Sequence, residues 1–281
     1  MNMKIIKNIL SCIKEACSSY QKLRSTITDV SLGDLMFPRE DAMSGLQFIV
    51  AARALDVERY YAGDKSFYYQ TALSSADNPS YNAQHGREIF EGIIRSFEAK
   101  GYDKNPPPIL VNKKIELIDG THRIAMCLQQ KTYEVRVQVT PTRANIIYPD
   151  QIYSKQISST DLTAIREYYP LLCRRILADG CGLCCKVEGE ETFVNDFVSD
   201  LRGFADILHV ADFKEEGDGT ASALVMFSLS NPAFVLHGKK IISERVIEIE
   251  KLLRGRYADK NLKMQFSKNS TEGKAMYDMS R

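Results

Sequence analysis

The chain has 281 residues and a formal net charge of +1, from 37 basic and 36 acidic side chains. This length suffices for one large domain or two ordinary ones with a hydrophobic core. A hydrophobic fraction of 44% and a charged fraction of 26% are typical of a folded globular protein and exclude a disordered chain. The near-neutral charge does not indicate a strongly basic nucleic-acid-binding protein, although a local basic patch stays open.

The cysteines and the apolar runs indicate a compartment for the protein. Seven scattered cysteines, an odd number, fit free thiols in a reducing environment better than a disulfide framework. No apolar run approaches the roughly 20 residues that a membrane-spanning helix needs. The N-terminus lacks the unbroken apolar core of a secretory signal. We therefore expect a cytoplasmic protein without a transmembrane segment.

Residues 1–27 are predicted to form an N-terminal amphipathic helix. Apolar side chains recur there at helical spacing, namely Ile5, Ile6, Ile9, Leu10, Ile13 and Cys17. The pattern favours a helix that packs on its own domain or on a partner. A helix lying on a membrane surface is the alternative.

Residues 28–145 are predicted to form a first α+β domain. The pattern predicts, in order, a short extended segment at 28–37, a helix from about residue 45, an ordered polar loop over 64–82, a helix ending near 100–101, a strand at 109–111, a turn, a strand at 115–118, a helix from about residue 121 and a strand at 133–139. The prolines at 106–108 force the extended chain that enters the strand at 109–111.

Residues 146–257 are predicted to form a second α+β region, followed by a polar, loosely ordered tail at 258–281. The expected elements are a capped helix at 159–177, a strand at 183–187, a helix at 192–208, strands at 209–214 and 221–228, and a helix at 242–256. The sequence EEGDGT at 215–220 is typical of a polar hairpin turn rather than a calcium loop.

The stretch DGTHR at 119–123 concentrates more chemistry than any other. A strand, a glycine turn and a helix start follow one another, so several backbone N–H groups and the positive end of a helix dipole point to one spot. Such a spot suits a phosphate group. Arg123 would add charged donors and His122 a titratable donor. The simpler alternative is a turn in which Asp119 caps the helix and both other side chains lie on the surface.

We favour the phosphate site because an arginine at a helix N-terminus opposes the dipole, which an anion would offset. The cysteines offer no comparable site. Cys181, Cys184 and Cys185 lack the second ligand pair that a structural zinc site needs. Cys184 and Cys185 would also point to opposite faces of a strand, so we interpret them as structural thiols.

The block PPPILVNKKIELIDGTHRIAMCL, followed by the strand YEVRVQV, resembles the ParB/sulfiredoxin-like superfamily. The resemblance implies a mixed-sheet nucleotide-binding domain. Sulfiredoxins have a cysteine immediately before the His-Arg pair, where this chain has Thr121. ParB-type proteins have a two-arginine loop and a helix-turn-helix, where this chain has His122 and no such motif. The chain is most similar to the small-molecule kinase branch.

That branch implies a kinase that transfers phosphate from ATP, ADP or another nucleotide to a hydroxyl of a small metabolite, such as a sugar or amino acid, with Mg²⁺. In this reading Gly120, Thr121, His122 and Arg123 hold the phosphates and His122 contacts the transferred group. Asp119 would bind the metal or position the acceptor. The alternative is a ParB-like, DNA-associated nucleotide-binding protein or nuclease without metabolite turnover. The sequence is also compatible with a homo-oligomer.

The general base that a kinase needs is less easily placed. Glu40 follows the first predicted strand, where the kinase branch tends to keep an acidic residue. Asp56 and Glu58 are rivals, since Arg53, Asp56 and Tyr60 share one helical face. We assign Glu40 as the candidate base.

Overall fold

The computed structural model describes residues 26–36, 46–77, 80, 82–103, 107–141, 157–216, 219–229 and 232–279. The described chain mixes helices with two four-stranded sheets, which confirms the predicted α+β class. The predicted N-terminal helix falls almost entirely outside the described residues, and so does Glu40.

Nine helices and ten strands follow one another in the described residues. The helices are α1 (Leu32–Met36), α2 (Leu46–Tyr61), α3 (Tyr68–Asp77), α4 (Ala83–Lys100), α5 (Thr121–Gln129), α6 (Ser159–Ala178), α7 (Glu191–Leu201), α8 (Glu244–Arg256) and α9 (Ser270–Met279). The strands are β1 (Ile27–Ser31), β2 (Ile109–Val111), β3 (Leu117–Asp119), β4 (Glu134–Val139), β5 (Leu183–Glu190), β6 (Asp206–Glu216), β7 (Thr220–Ser228), β8 (Phe234–His237), β9 (Lys240–Ser243) and β10 (Lys263–Phe266).

The first sheet has the strand order β1-β4-β2-β3 and is mixed, because β2 runs parallel to β4 while the other pairs are antiparallel. Its central strand β4 alternates as expected for a sheet with one buried face, with Val135, Val137 and Val139 fully buried. Helix α2 packs against α5 and α6. Most of its residues are buried, which explains why its apolar residues are not confined to one stripe.

The second sheet is antiparallel, in the order β10-β5-β7-β6, and its two faces contribute to different cores. Val225 and Phe227 of β7 share one core with residues of α7 and α8. On the other face, Cys184 packs with Met276 and Tyr277 of α9. Cys184 and Cys185 thus point to opposite sides, as their consecutive positions predict.

Helix α7 ends at Leu201 and β6 begins at Asp206, each earlier than predicted, and the hairpin of β8 and β9 was not predicted. Two further segments that were expected to be irregular contain regular elements. The predicted polar loop at 64–82 contains α3, whose first amides are held by Asp56 of α2: its carboxylate accepts from the backbone N–H of Tyr69 at 3.2 Å and of Gln70 at 2.6 Å. The predicted tail at 258–281 contains β10, which pairs with β5, and α9. Both segments are ordered by partners on other elements of the fold.

The predicted boundary near residue 145 separates α6 from the core to which it contributes. Leu162, Ile165 and Ile176 of α6 belong to the core of the first sheet. The strand pair β8–β9 also contributes, through Phe234 and Ile241. None of the helices in the described part of the chain combines the length and apolar character that crossing a bilayer requires.

Candidate functional site

The turn between β3 and α5 can be formed only with difficulty by a residue other than glycine. Gly120 has φ 104° and ψ 15°, in the left-handed region. A Cβ atom there would lie 2.8 Å from Cγ1 of Ile109 on the neighbouring strand. The Gly120 amide donates to the side chain of Asp119 at 2.7 Å, and Asp119 itself is exposed at the end of β3.

Helix α5 begins immediately after this turn. The first helical hydrogen bond runs from the Ile124 N–H to the Gly120 carbonyl, at 3.0 Å. The amides of Thr121, His122 and Arg123 therefore belong to the first turn, where the helix supplies no acceptor and the dipole is positive. This part of the geometry is what the sequence predicts for an anion site.

The Arg123 side chain is directed to protein carbonyls. Its guanidinium donates through Nη1 to the carbonyl of Pro107 and through Nη2, at 3.4 Å, to that of Pro108. These carbonyls offset the positive charge of Arg123, which we expected a bound anion to balance. They therefore provide a structural reason for an arginine at this helix start. The sequence argument from the helix dipole therefore does not carry the phosphate site.

The His122 side chain faces inward. Its ring packs edge-to-face against Phe90, with centroids 4.7 Å apart, and its Nε2 lies 2.9 Å from Oε1 of Gln70. Burial, and then the charges of Arg53 and Arg123, lower the pKa of His122 well below its usual value. His122 is thus a neutral imidazole at pH 7, which differs from the titratable donor that we expected.

Arg53 of α2 reaches the turn from 68 positions away in the sequence. Its Nη1 donates to the hydroxyl of Thr121, which is 3% exposed, and its Nε donates to Oε1 of Gln70 at 2.8 Å. A guanidinium from another helix is thereby placed at the first residue of α5. Sequence reasoning missed this role, and the helical face shared by Arg53, Asp56 and Tyr60 was the only signal.

The two rival carboxylates have structural partners. Asp56 holds the N-terminus of α3, and burial raises its pKa to about 6. Glu58 accepts from the Tyr168 hydroxyl and from Arg175 Nη1, each at 2.6 Å, and so links α2 to α6. Asp119 lies beside the Gly120 turn and is exposed, so it is better placed than Asp56 and Glu58 to contact a substrate or a metal ion.

A metal ion at this site would need a bound substrate and water to complete its coordination. In the described segments, no three His, Cys, Asp or Glu side chains form a group that could hold a metal. Magnesium is commonly bound by one or two carboxylates together with substrate phosphates and water. Asp119 fits such a role as a single ligand, whereas it does not form a dedicated metal site.

The first-turn amides, the Arg53 guanidinium and the Asp119 carboxylate all lie at the N-terminal end of α5. Fixed donors of this kind can bind an oxyanion and neutralise charge that develops on it. No protein-family model, curated protein or solved structure matches the chain. Its function must therefore be argued from this arrangement.

Proposed function

We propose that the protein is a nucleotide-dependent phosphotransferase that phosphorylates a hydroxyl of a small metabolite, such as a sugar or amino acid. One observation carries the proposal: the Arg53 guanidinium is fixed at Thr121, where α5 begins after the Gly120 turn. Phosphoryl transfer depends mostly on positioning and on charge neutralisation, and a rigid group of donors supplies both.

In the proposed mechanism, the amides of Thr121, His122 and Arg123 donate to nucleotide phosphates and Arg53 neutralises part of their charge. Asp119 would either position the acceptor hydroxyl or hold Mg²⁺. The candidate base Glu40 would accept the proton that this hydroxyl loses on transfer. A bound Mg²⁺ would neutralise further phosphate charge. Gly120 keeps the backbone free of a side chain at the turn. The side chain of His122 is buried and neutral, so we no longer assign it a direct contact with the transferred group. Its backbone amide is still assigned as a donor to phosphate.

The order of elements supports a relationship to the ParB/sulfiredoxin-like superfamily, which we retain as part of the proposal. A helix, a strand, a turn, a strand, a glycine turn, a helix and a strand follow one another from α4 to β4.

We propose that the protein is cytoplasmic. Buried free thiols support such a reducing location, and they are Cys127, Cys173, Cys181, Cys184 and Cys185.

Calorimetric titration with ATP and ADP, each with and without Mg²⁺, tests the proposal. We expect wild-type binding, and about 10- to 100-fold weaker binding by Arg53→Ala, because hydrogen bonds between charged groups are the strong ones. Arg123→Ala should weaken binding less, since that guanidinium contacts carbonyls. Arg95→Ala is the control, because Arg95 pairs with Glu91 on the exposed side of α4.

Turnover assays then test transfer to sugars and amino acids. Lack of binding of every nucleoside di- and triphosphate by wild-type protein would overturn the phosphate site. Nucleotide binding without transfer, together with DNA retention that weakens steeply with salt, would favour the DNA-associated alternative.

A further inference from the structure

A single carbonyl oxygen lies between the two side chains that flank the start of α5. Oε1 of Gln70 is 2.8 Å from Nε of Arg53 and 2.9 Å from Nε2 of His122. Gln70 is 3% exposed. Its backbone amide is held by Asp56 at 2.6 Å, and its Nε2 donates to the Ser74 hydroxyl at 3.0 Å. The position of this oxygen is thus defined from the main chain and from the side chain.

The chemistry of arginine fixes which way the Gln70 amide points. A guanidinium has only donors, so the atom that faces Arg53 Nε must be the oxygen. The same oxygen faces His122 Nε2, and an oxygen of this type accepts but does not donate. His122 must therefore carry a proton on Nε2. Since its ring is neutral, the second nitrogen, Nδ1, has no proton and acts as a hydrogen-bond acceptor.

We infer that Gln70 is the positioning residue of this site: it fixes His122 as the Nε2–H tautomer and holds the Arg53 guanidinium on Thr121. Asp56 anchors Gln70, and Gln70 in turn orients two residues on α2 and α5. The contacts thus connect the α3 N-terminus to the α5 N-terminus. Whether this alignment serves phosphate binding rests on the proposed function, whereas the proton on Nε2 follows from the contacts alone.

The tautomer gives a readout that a purely structural glutamine would not affect. Two-bond ¹⁵N–¹H correlation spectra of wild-type protein at pH 7.5 should show His122 as a neutral ring with Nε2 protonated. The signal is assigned by its absence in His122→Asn. Gln70→Leu should give a mixture of tautomers and about tenfold weaker ATP binding, a loss that corresponds to one hydrogen bond.

Two further variants complete the test. Gln70→Glu keeps an acceptor oxygen toward both neighbours, so Nε2 of His122 should stay protonated. Gln84→Leu, at an exposed glutamine that contacts Glu88 on α4, should change neither the tautomer nor the affinity.

A wild-type spectrum with the proton on Nδ1, or with a charged ring, would overturn the inference. This decision needs no variant, so it holds even if Gln70→Leu fails to fold. An Nε2–H tautomer without any nucleotide binding would refute the proposed function while leaving the fixed tautomer in place. An unchanged tautomer in a folded Gln70→Leu protein would also contradict the role of Gln70.

Discussion

Asp34 of α1 accepts a hydrogen bond from the backbone N–H of Ser270, at 2.8 Å, and so caps α9 from 236 positions away in the sequence. Asp34 is 2% exposed. An acidic side chain at a helix N-terminus satisfies an amide that has no helical acceptor and interacts favourably with the dipole. The contact joins the region of the first sheet to the last helix of the described chain.

Asp34→Ala should lower the free energy of unfolding by about 1 to 3 kcal/mol, because it leaves a buried amide without this acceptor. Asp34→Asn retains an oxygen and should cost less. Urea unfolding followed by circular dichroism measures both variants. Equal stabilities of wild type and Asp34→Ala would show that the cap contributes nothing.

Gly273→Ala should detach α9 from the second sheet. A Cβ atom at this position would overlap the carbonyl oxygen of Gly182, which is backbone and cannot rotate away. We expect a loss of about 1 to 3 kcal/mol in unfolding free energy, typical of an overpacked interior. Gly255→Ala on α8 is the matched control, since its Cβ would meet nothing within 4 Å. Equal effects of the two substitutions would contradict a close approach at Gly273.

Gly120→Ala should affect both stability and nucleotide binding. The left-handed φ and the contact with Ile109 together should cost about 2 to 4 kcal/mol, and any relaxation would displace the α5 amides. Gly92→Ala, on the exposed face of α4, has open space and should stabilise the protein by about 0.5 to 1 kcal/mol. Thermal unfolding and ATP titration of both variants check this, and wild-type affinity in Gly120→Ala would refute the turn as a binding element.

Asp56 should make stability depend on pH. Burial raises its pKa from 3.8 to about 6, so between these values the folded protein holds a proton that the unfolded chain releases. The resulting stabilisation is present below about pH 4 and is lost as the pH rises through 6. The shift of about two pH units corresponds to roughly 3 kcal/mol at most.

The test compares wild type with Asp56→Asn, which does not titrate. The stability of wild type relative to this variant should decrease from pH 4 to pH 7. A constant difference over this range would show that Asp56 has an ordinary pKa in the folded protein.

The elements of the site were predictable where local sequence decides them. The Gly120 turn, the start of α5 and the exit strand β4 lie close to their predicted places, because a glycine with positive φ and alternating valines leave local signatures. Helix α3 was missed because its capping carboxylate, Asp56, lies on another helix. Strand β10 was missed because four residues with two buried positions, Met264 and Phe266, are too short for a periodicity signal.

The side-chain contacts of the site could not be predicted. Arg53 meets Thr121 only because α2 packs against α5, and sequence patterns do not specify such a pairing. The role expected of Arg123 differs for the same reason, since the carbonyls of Pro107 and Pro108 become its neighbours only in the folded chain. Amphipathic patterns identify a helix face, whereas they do not identify what that face touches.

The two faces of β5 have a consequence for how the molecule opens. Cys185 is covered by the core beneath α7 and α8, Cys184 by α9, and Cys127 by the core of the first sheet. Burial raises the pKa of Cys127 and of Cys184 to about 12, so neither thiol reacts readily while it is covered. The rate at which each thiol is alkylated in native buffer would report how fast the core that covers it opens. The order of labelling would then reveal which part of the protein unfolds first.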